Sequence, residues 1–166
     1  MVKILVADKL SAEGINILKG GGFEVDYKTG LTKEVLKEVI KDYDAIVVRS
    51  ETKLTADVIE AGEKLKVIGR AGVGLDNVDV GTATRKGIIV MNSPGGNTIS
   101  TCEHTFALIL SLLRKVPFGH NSLKNKEWNR SKFKGVELYS KRLGIIGLGR
   151  IGKEVAKRAL AFGMEV

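Results

Sequence analysis

Arg142-Leu143-Gly144-Ile145-Ile146-Gly147-Leu148-Gly149-Arg150-Ile151-Gly152-Lys153-Glu154-Val155-Ala156 joins a short apolar run, three spaced glycines and a helical pattern. The run predicts a strand, and the segment after the glycines predicts a helix. Between them Gly147, Gly149 and Gly152 have the spacing G-x-G-x-x-G. The first glycine permits a tight turn, the second lets the backbone approach a pyrophosphate, and the third lets helix and strand pack closely. The unpaired N–H groups and dipole of the helix N-terminus favour the negative charge. Glycines also mark ordinary turns, so the flanking strand and helix patterns carry the dinucleotide reading.

Downstream of Gly152 one helix fits before Gly163-Met164-Glu165-Val166, which reads as the start of another strand. A dinucleotide unit places an acidic residue for the ribose roughly 20 residues beyond the glycines. That position lies past Val166, so part of the nucleotide fold is expected outside these residues, and NAD cannot be told from NADP.

Upstream, Asn92-Ser93-Pro94-Gly95-Gly96-Asn97 has turn composition and marks a domain boundary, dividing 1–97 from 98–166. After it a long helix is expected from Thr98 to Arg114, with Ser100 and Glu103 as a capping box. Phe106, Ile109, Leu110 and Leu113 supply its apolar stripe. Pro117 is expected to break the pattern, a shorter basic helix to run to about Trp128, and Lys132 to Lys141 to be loop or edge structure.

Residues 1–97 alternate strand and helix. Apolar runs Val2–Ala7, Ala45–Arg49, Leu65–Arg70 and Ile88–Met91 read as strands, and Phe23–Tyr27 is strand-like. Helices are expected after Ser11, from Thr32, from Thr55 and over Val78–Lys86. Such alternation predicts an α/β fold, here an open flavodoxin-like parallel sheet of order 2-1-3-4-5 with helices on both faces. Polar residues at the carboxyl ends of its strands would face a ligand crevice. Arg49 and Arg70 end the third and fourth strands.

The 166 residues are 43% apolar and 28% charged, a globular composition. No apolar run approaches bilayer length and no signal-peptide pattern opens the chain, so a soluble, cytoplasmic protein is expected. Cys102 is the only cysteine. With no partner for a disulfide and no base placed to activate it, a buried apolar role is expected. The net charge of +8 lies wholly in the second part, where 13 Lys and Arg face 5 Asp and Glu. These cations are scattered singly with few aromatics between them, which argues against nucleic-acid binding. No metal site is expected.

Several stretches together resemble the N-terminal part of a D-isomer-specific 2-hydroxyacid dehydrogenase. They are Val48-Arg49-Ser50, Ile68-Gly69-Arg70-Ala71-Gly72-Val73-Gly74-Leu75-Asp76-Asn77-Val78-Asp79, Ala83-Thr84-Arg85-Lys86-Gly87-Ile88, Asn92-Ser93-Pro94-Gly95-Gly96-Asn97 and the glycine motif. Within that family the members acting on 3-phosphoglycerate are the most similar. The resemblance implies a flavodoxin-like substrate domain (1–97) followed by a Rossmann NAD domain that 98–166 only begins. It also implies NAD as cofactor, a small-molecule substrate in the cleft between the domains, and a homo-oligomer in which the loop around Trp128 reaches a neighbouring subunit. Arg49, Ser50 and Arg70 would contact substrate. Ala71, Gly72, Val73 and Gly74 would form the loop beside its carboxylate and the nicotinamide. Val73 stands where relatives often carry Thr, so no side-chain hydrogen bond to the cofactor is expected there. Gly147, Gly149, Arg150, Ile151 and Gly152 would meet the pyrophosphate.

The family's catalytic His, Glu and Arg match no position here, so they are expected beyond Val166 and these residues alone are expected to be inactive. His104 is expected to pack or cap, and His120 to be exposed. Two other readings stay open. One keeps the fold but takes glyoxylate, hydroxypyruvate or another 2-hydroxyacid, and the other is a non-enzymatic fragment that assembles with a partner supplying the missing half-sheet.

Overall fold

Ile4, Leu5 and Val6 are buried on both faces of strand β1 (Lys3–Val6), as the uninterrupted apolar run requires of a central parallel strand. In the computed structural model, which describes residues 1–166, β1 lies between β2 (Glu24–Tyr27) and β3 (Ala45–Val48). β4 (Val67–Arg70) and β5 (Ile89–Asn92) complete a parallel sheet of order β2-β1-β3-β4-β5, as read from the alternation. Helices α1 (Ala12–Gly20), α2 (Lys33–Val39), α3 (Ala56–Ala61) and α4 (Val80–Arg85) are the crossovers. Ser11 and Thr32 each cap their helix through a side-chain oxygen, accepting from Gly14 N and Val35 N. The Thr55 hydroxyl instead donates to Asp57 Oδ1 at 2.6 Å, and Asp79 rather than Val78 opens α4. Leu5, Ile46, Ile68, Leu54, Ile59 and Leu36 form the core of this unit, Met1–Gly96.

The β2 edge is held by charge. Tyr43, buried below β1, donates its hydroxyl to Asp26 at 2.6 Å and accepts from Lys28 Nζ at 3.0 Å. Lys3 Nζ lies 3.5 Å from Asp26 and 3.3 Å from Glu24. The Tyr43 hydrogen bond, with Lys3 and Lys28, holds the Asp26 carboxyl below its ordinary range. A depressed carboxylate contributes stability that is full above its unfolded pKa, about 4, and is lost as pH falls through the folded value. Asp26→Asn is therefore expected to flatten the fall in the urea midpoint between pH 5 and pH 3. An unchanged acid limb would remove Asp26 from this account.

The second unit, Asn97–Val166, is built on α5 (Thr98–Leu113), α6 (Val116–Lys124) and α7 (Arg150–Ala161). Cys102 and Phe106 of α5 pack with Leu138, Val155 and Ala159, and the Phe106 and Phe162 rings stack 5.3 Å apart. Cys102 is fully buried, as expected. Several local expectations need correction. Ser100 is no cap: Asn97 opens α5 and the Ser100 hydroxyl donates to its carbonyl at 3.1 Å. Pro117 does not end a helix but sits in the first turn of α6, where its missing N–H costs nothing. The break is at Lys115, whose φ of 53° turns the chain between α5 and α6. Trp128 lies past the end of α6 and is 74% exposed. The apolar run before Gly147 is not a laddered strand. Among these residues it finds one neighbour, through a single parallel bridge Arg142–Glu165 supported by an Arg142–Glu165 ion pair at 2.9 Å. Leu143 and Ile145 pack inward, while Ile146 is fully exposed. No helix is long and apolar enough to cross a membrane.

Candidate functional site

In the first unit the expected substrate residues fall on two adjacent loops at the carboxyl ends of β3 and β4, where a parallel α/β sheet presents ligands. Arg49 leaves β3 with its side chain exposed, and Ser50 beside it is also exposed. The turn they begin is fixed from two sides. Asp8, buried at the end of β1, accepts from Arg49 N at 2.6 Å, from Thr52 N at 3.1 Å and from the Thr52 hydroxyl at 2.5 Å. Asn77 donates through Nδ2 to the carbonyls of Arg49 and Thr52, both at 2.7 Å.

Arg70 ends β4 and is only partly exposed. Its guanidinium folds over Gly72, so closely that a Cβ there would collide with Nη1 and Cζ. Its Nε is buried with no hydrogen-bond partner in the chain, a donor suited to an anion. Ala71 to Gly74 is pinned by Ala71 N to Val48 O, Ser93 N to Gly72 O and Asn92 Nδ2 to Val73 O, at 2.8, 2.8 and 2.7 Å. Val73 is half-buried and offers no polar side-chain atom. The structure thus brings Arg49, Ser50, Arg70 and the Ala71–Gly74 loop to one edge of one sheet.

In the second unit, Gly147 has φ 97°, which a side chain would strain. Gly149 is the N-cap of α7, with nothing within 4 Å of a Cβ built there, so a ligand can approach its backbone. At Gly152 a Cβ would strike the Gly147 carbonyl oxygen. No side chain caps α7, so the first-turn N–H groups at Arg150, Ile151 and Gly152 are free for an anion. The geometry fits a pyrophosphate.

Asp8, Asn77 and Asn92 were not among the residues expected to build the site. Asp8 follows an apolar run at a strand end, a signal that could have drawn attention to it, but Asn77 and Asn92 reach partners 19 to 28 residues away without periodic trace. His104 does not pack: it is exposed on α5, as His120 is on α6.

The chain matches the family model described as "D-isomer specific 2-hydroxyacid dehydrogenase, catalytic domain" over residues 4–162. It is 60% identical over 166 residues to the D-3-phosphoglycerate dehydrogenase of Methanocaldococcus jannaschii, spanning all of this chain and 32% of that protein. It spans about a third of the length of the curated relatives it matches. Among solved structures, the cofactor (NAD+)-bound 3-phosphoglycerate dehydrogenase of Entamoeba histolytica superposes with a TM-score of 0.78 at 34% identity, over 99% of this chain and 52% of that one. The D-lactate dehydrogenase of Aquifex aeolicus complexed with NAD and lactic acid superposes at 0.81 with 29% identity, over 98% and 49%.

Proposed function

The chain belongs to the D-isomer-specific 2-hydroxyacid dehydrogenases, and from that premise we propose that it serves the NAD-dependent oxidation of D-3-phosphoglycerate to 3-phosphohydroxypyruvate, the first step of serine biosynthesis. The observation that carries the substrate is the pair Arg49 and Arg70 on cross-linked loops, the second with a buried, unpartnered Nε. Guanidinium forks bind phosphate and carboxylate bidentately. The names borne by relatives at 49–60% identity agree.

NAD, when bound, accepts the hydride from substrate C2. The chain's own part is to hold the reactants. The free N–H groups of α7 and the close backbone approach at Gly149 bind the pyrophosphate. Arg49, Ser50 and Arg70 bind the substrate's anionic groups, and the backbone of Ala71–Gly74 fixes its carboxylate end. Exposed His104 and His120 are not among these residues, and we take neither as the general base, so the 166 residues alone are expected to bind without turnover.

The test is steady-state oxidation by the complete polypeptide with NAD. kcat/KM for D-3-phosphoglycerate is expected to exceed that for D-lactate or D-glycerate by at least about 100-fold, a lower bound set beneath the roughly 10⁴–10⁵-fold by which a site built to bond a polar group rejects analogues lacking it. Equal values would transfer the assignment to another 2-hydroxyacid. NADH formation by the 166 residues alone would overturn the division of labour.

A further inference from the structure

We propose that Asn77 is a positioning residue for the phosphate site, holding the Arg49 turn against the Arg70 loop through the carbonyls of Arg49 and Thr52; this rests on the reading of Arg49 and Arg70 as phosphate ligands. Asn77 belongs to the segment that follows Ala71–Gly74, yet both hydrogen bonds its Nδ2 donates go to the other loop, at 2.7 Å each. One side chain therefore ties the two arginine-bearing loops together.

The backbone already joins these segments. Leu54 N donates to Asn77 O at 2.8 Å, and Asp79 N donates to Leu54 O at 2.9 Å. A clamp needed only for folding has its bonds there. What the side chain adds is control of the turn at Arg49 itself, whose N–H is taken by Asp8 at 2.6 Å and whose carbonyl is taken by Asn77. With both peptide groups of Arg49 fixed, its Cα–Cβ direction is set before any ligand arrives, which is the preorganisation an anion site requires. The arrangement also carries a local cost, because Asn77 Oδ1 is buried without a partner and an unmatched buried acceptor is unfavourable. Departures from local satisfaction concentrate at functional positions. The amide orientation follows from its partners: two carbonyls require the NH2 group to face them.

The complete polypeptide is assayed with D-3-phosphoglycerate and with D-glycerate at saturating NAD, and the readout is the ratio of the two kcat/KM values. Asn77→Ala is expected to lower that ratio about tenfold, the scale of one or two lost hydrogen bonds. In an Arg49→Ala background the same change is expected to lower it less than about twofold, since the two act as one unit. A residue that only holds the fold would lower both kcat/KM values together, leave the ratio intact and add to Arg49→Ala; that result overturns the proposal. If Asn77→Ala does not fold, Asn77→Leu, close in shape and without a donor, carries the same ratio test. Arg49→Ala separates the two levels of inference. If it leaves the ratio unchanged, the phosphate reading itself falls; if it lowers the ratio while the Asn77 variants do not, only the positioning role falls.

Discussion

A Gly152→Val chain is expected to lose NAD binding, with affinity falling by at least about 100-fold. The reason is local. A Cβ at residue 152 meets the Gly147 carbonyl oxygen, lies 3.2 Å from the Gly147 carbonyl carbon and lies 3.4 Å from the Ile145 side chain. The first two are backbone atoms, which cannot swing aside as the end of a flexible side chain can. Relief must come from moving α7 away from the turn. That displaces the first-turn N–H groups from a pyrophosphate, and hydrogen bonds to a charged group contribute about 1.5–3 kcal/mol each, so losing two accounts for the fall. Overpacking itself costs about 1–3 kcal/mol of stability in the second unit. Calorimetric titration of the complete polypeptide with NAD measures the first effect and thermal unfolding the second. Gly144→Ala is the matched control, because nothing lies within 4 Å of its Cβ. Retention of NAD affinity by Gly152→Val would remove this turn from the cofactor site.

Arg70→Ala is expected to raise KM for D-3-phosphoglycerate by roughly 10–150-fold, the equivalent of about 1.5–3 kcal/mol for a charge-assisted pair, with a much smaller effect on NAD affinity. Arg70→Lys should fall between, keeping the charge but losing the planar fork. Arg49 is more exposed and better hydrated, so Arg49→Ala should cost less than Arg70→Ala. Equal losses for phosphorylated and unphosphorylated acids in both variants would count against phosphate recognition.

The strand order was legible because strand and helix patterns alternate along the chain, and because the apolar runs of β1 and β3 mark inner strands, whereas β2 and β5 at the edges are largely exposed. The cap at Ser11 was legible too, since its partner lies three residues away. Ser100 misled because a serine three residues before a glutamate also fits a helix interior, where its hydroxyl turns back to Asn97 O. The run before Gly147 misled differently. A strand is a property of a pair, and its one bridge here is to Glu165. The arginines at the strand ends and the glycine turn could be pointed to from sequence, and β3, β4 and α7 beside them were foreseen. The fixing of those loops by Asp8, Asn77 and Asn92 was not, because side chain-to-backbone contacts across 19 to 44 residues leave no period to read.

The two rims of the sheet differ in how they would meet a second chain. β2 carries Glu24 and Asp26 with Lys3 and Lys28 beside them, and charges on an edge discourage strand addition. β5 is Ile-Val-Met-Asn, with Ile89 60% and Met91 53% exposed, and has no charge within it. Intermolecular β-pairing, and the aggregation that follows from it, would therefore begin at β5, which makes Ile89 and Met91 the places where a lysine would most improve solubility.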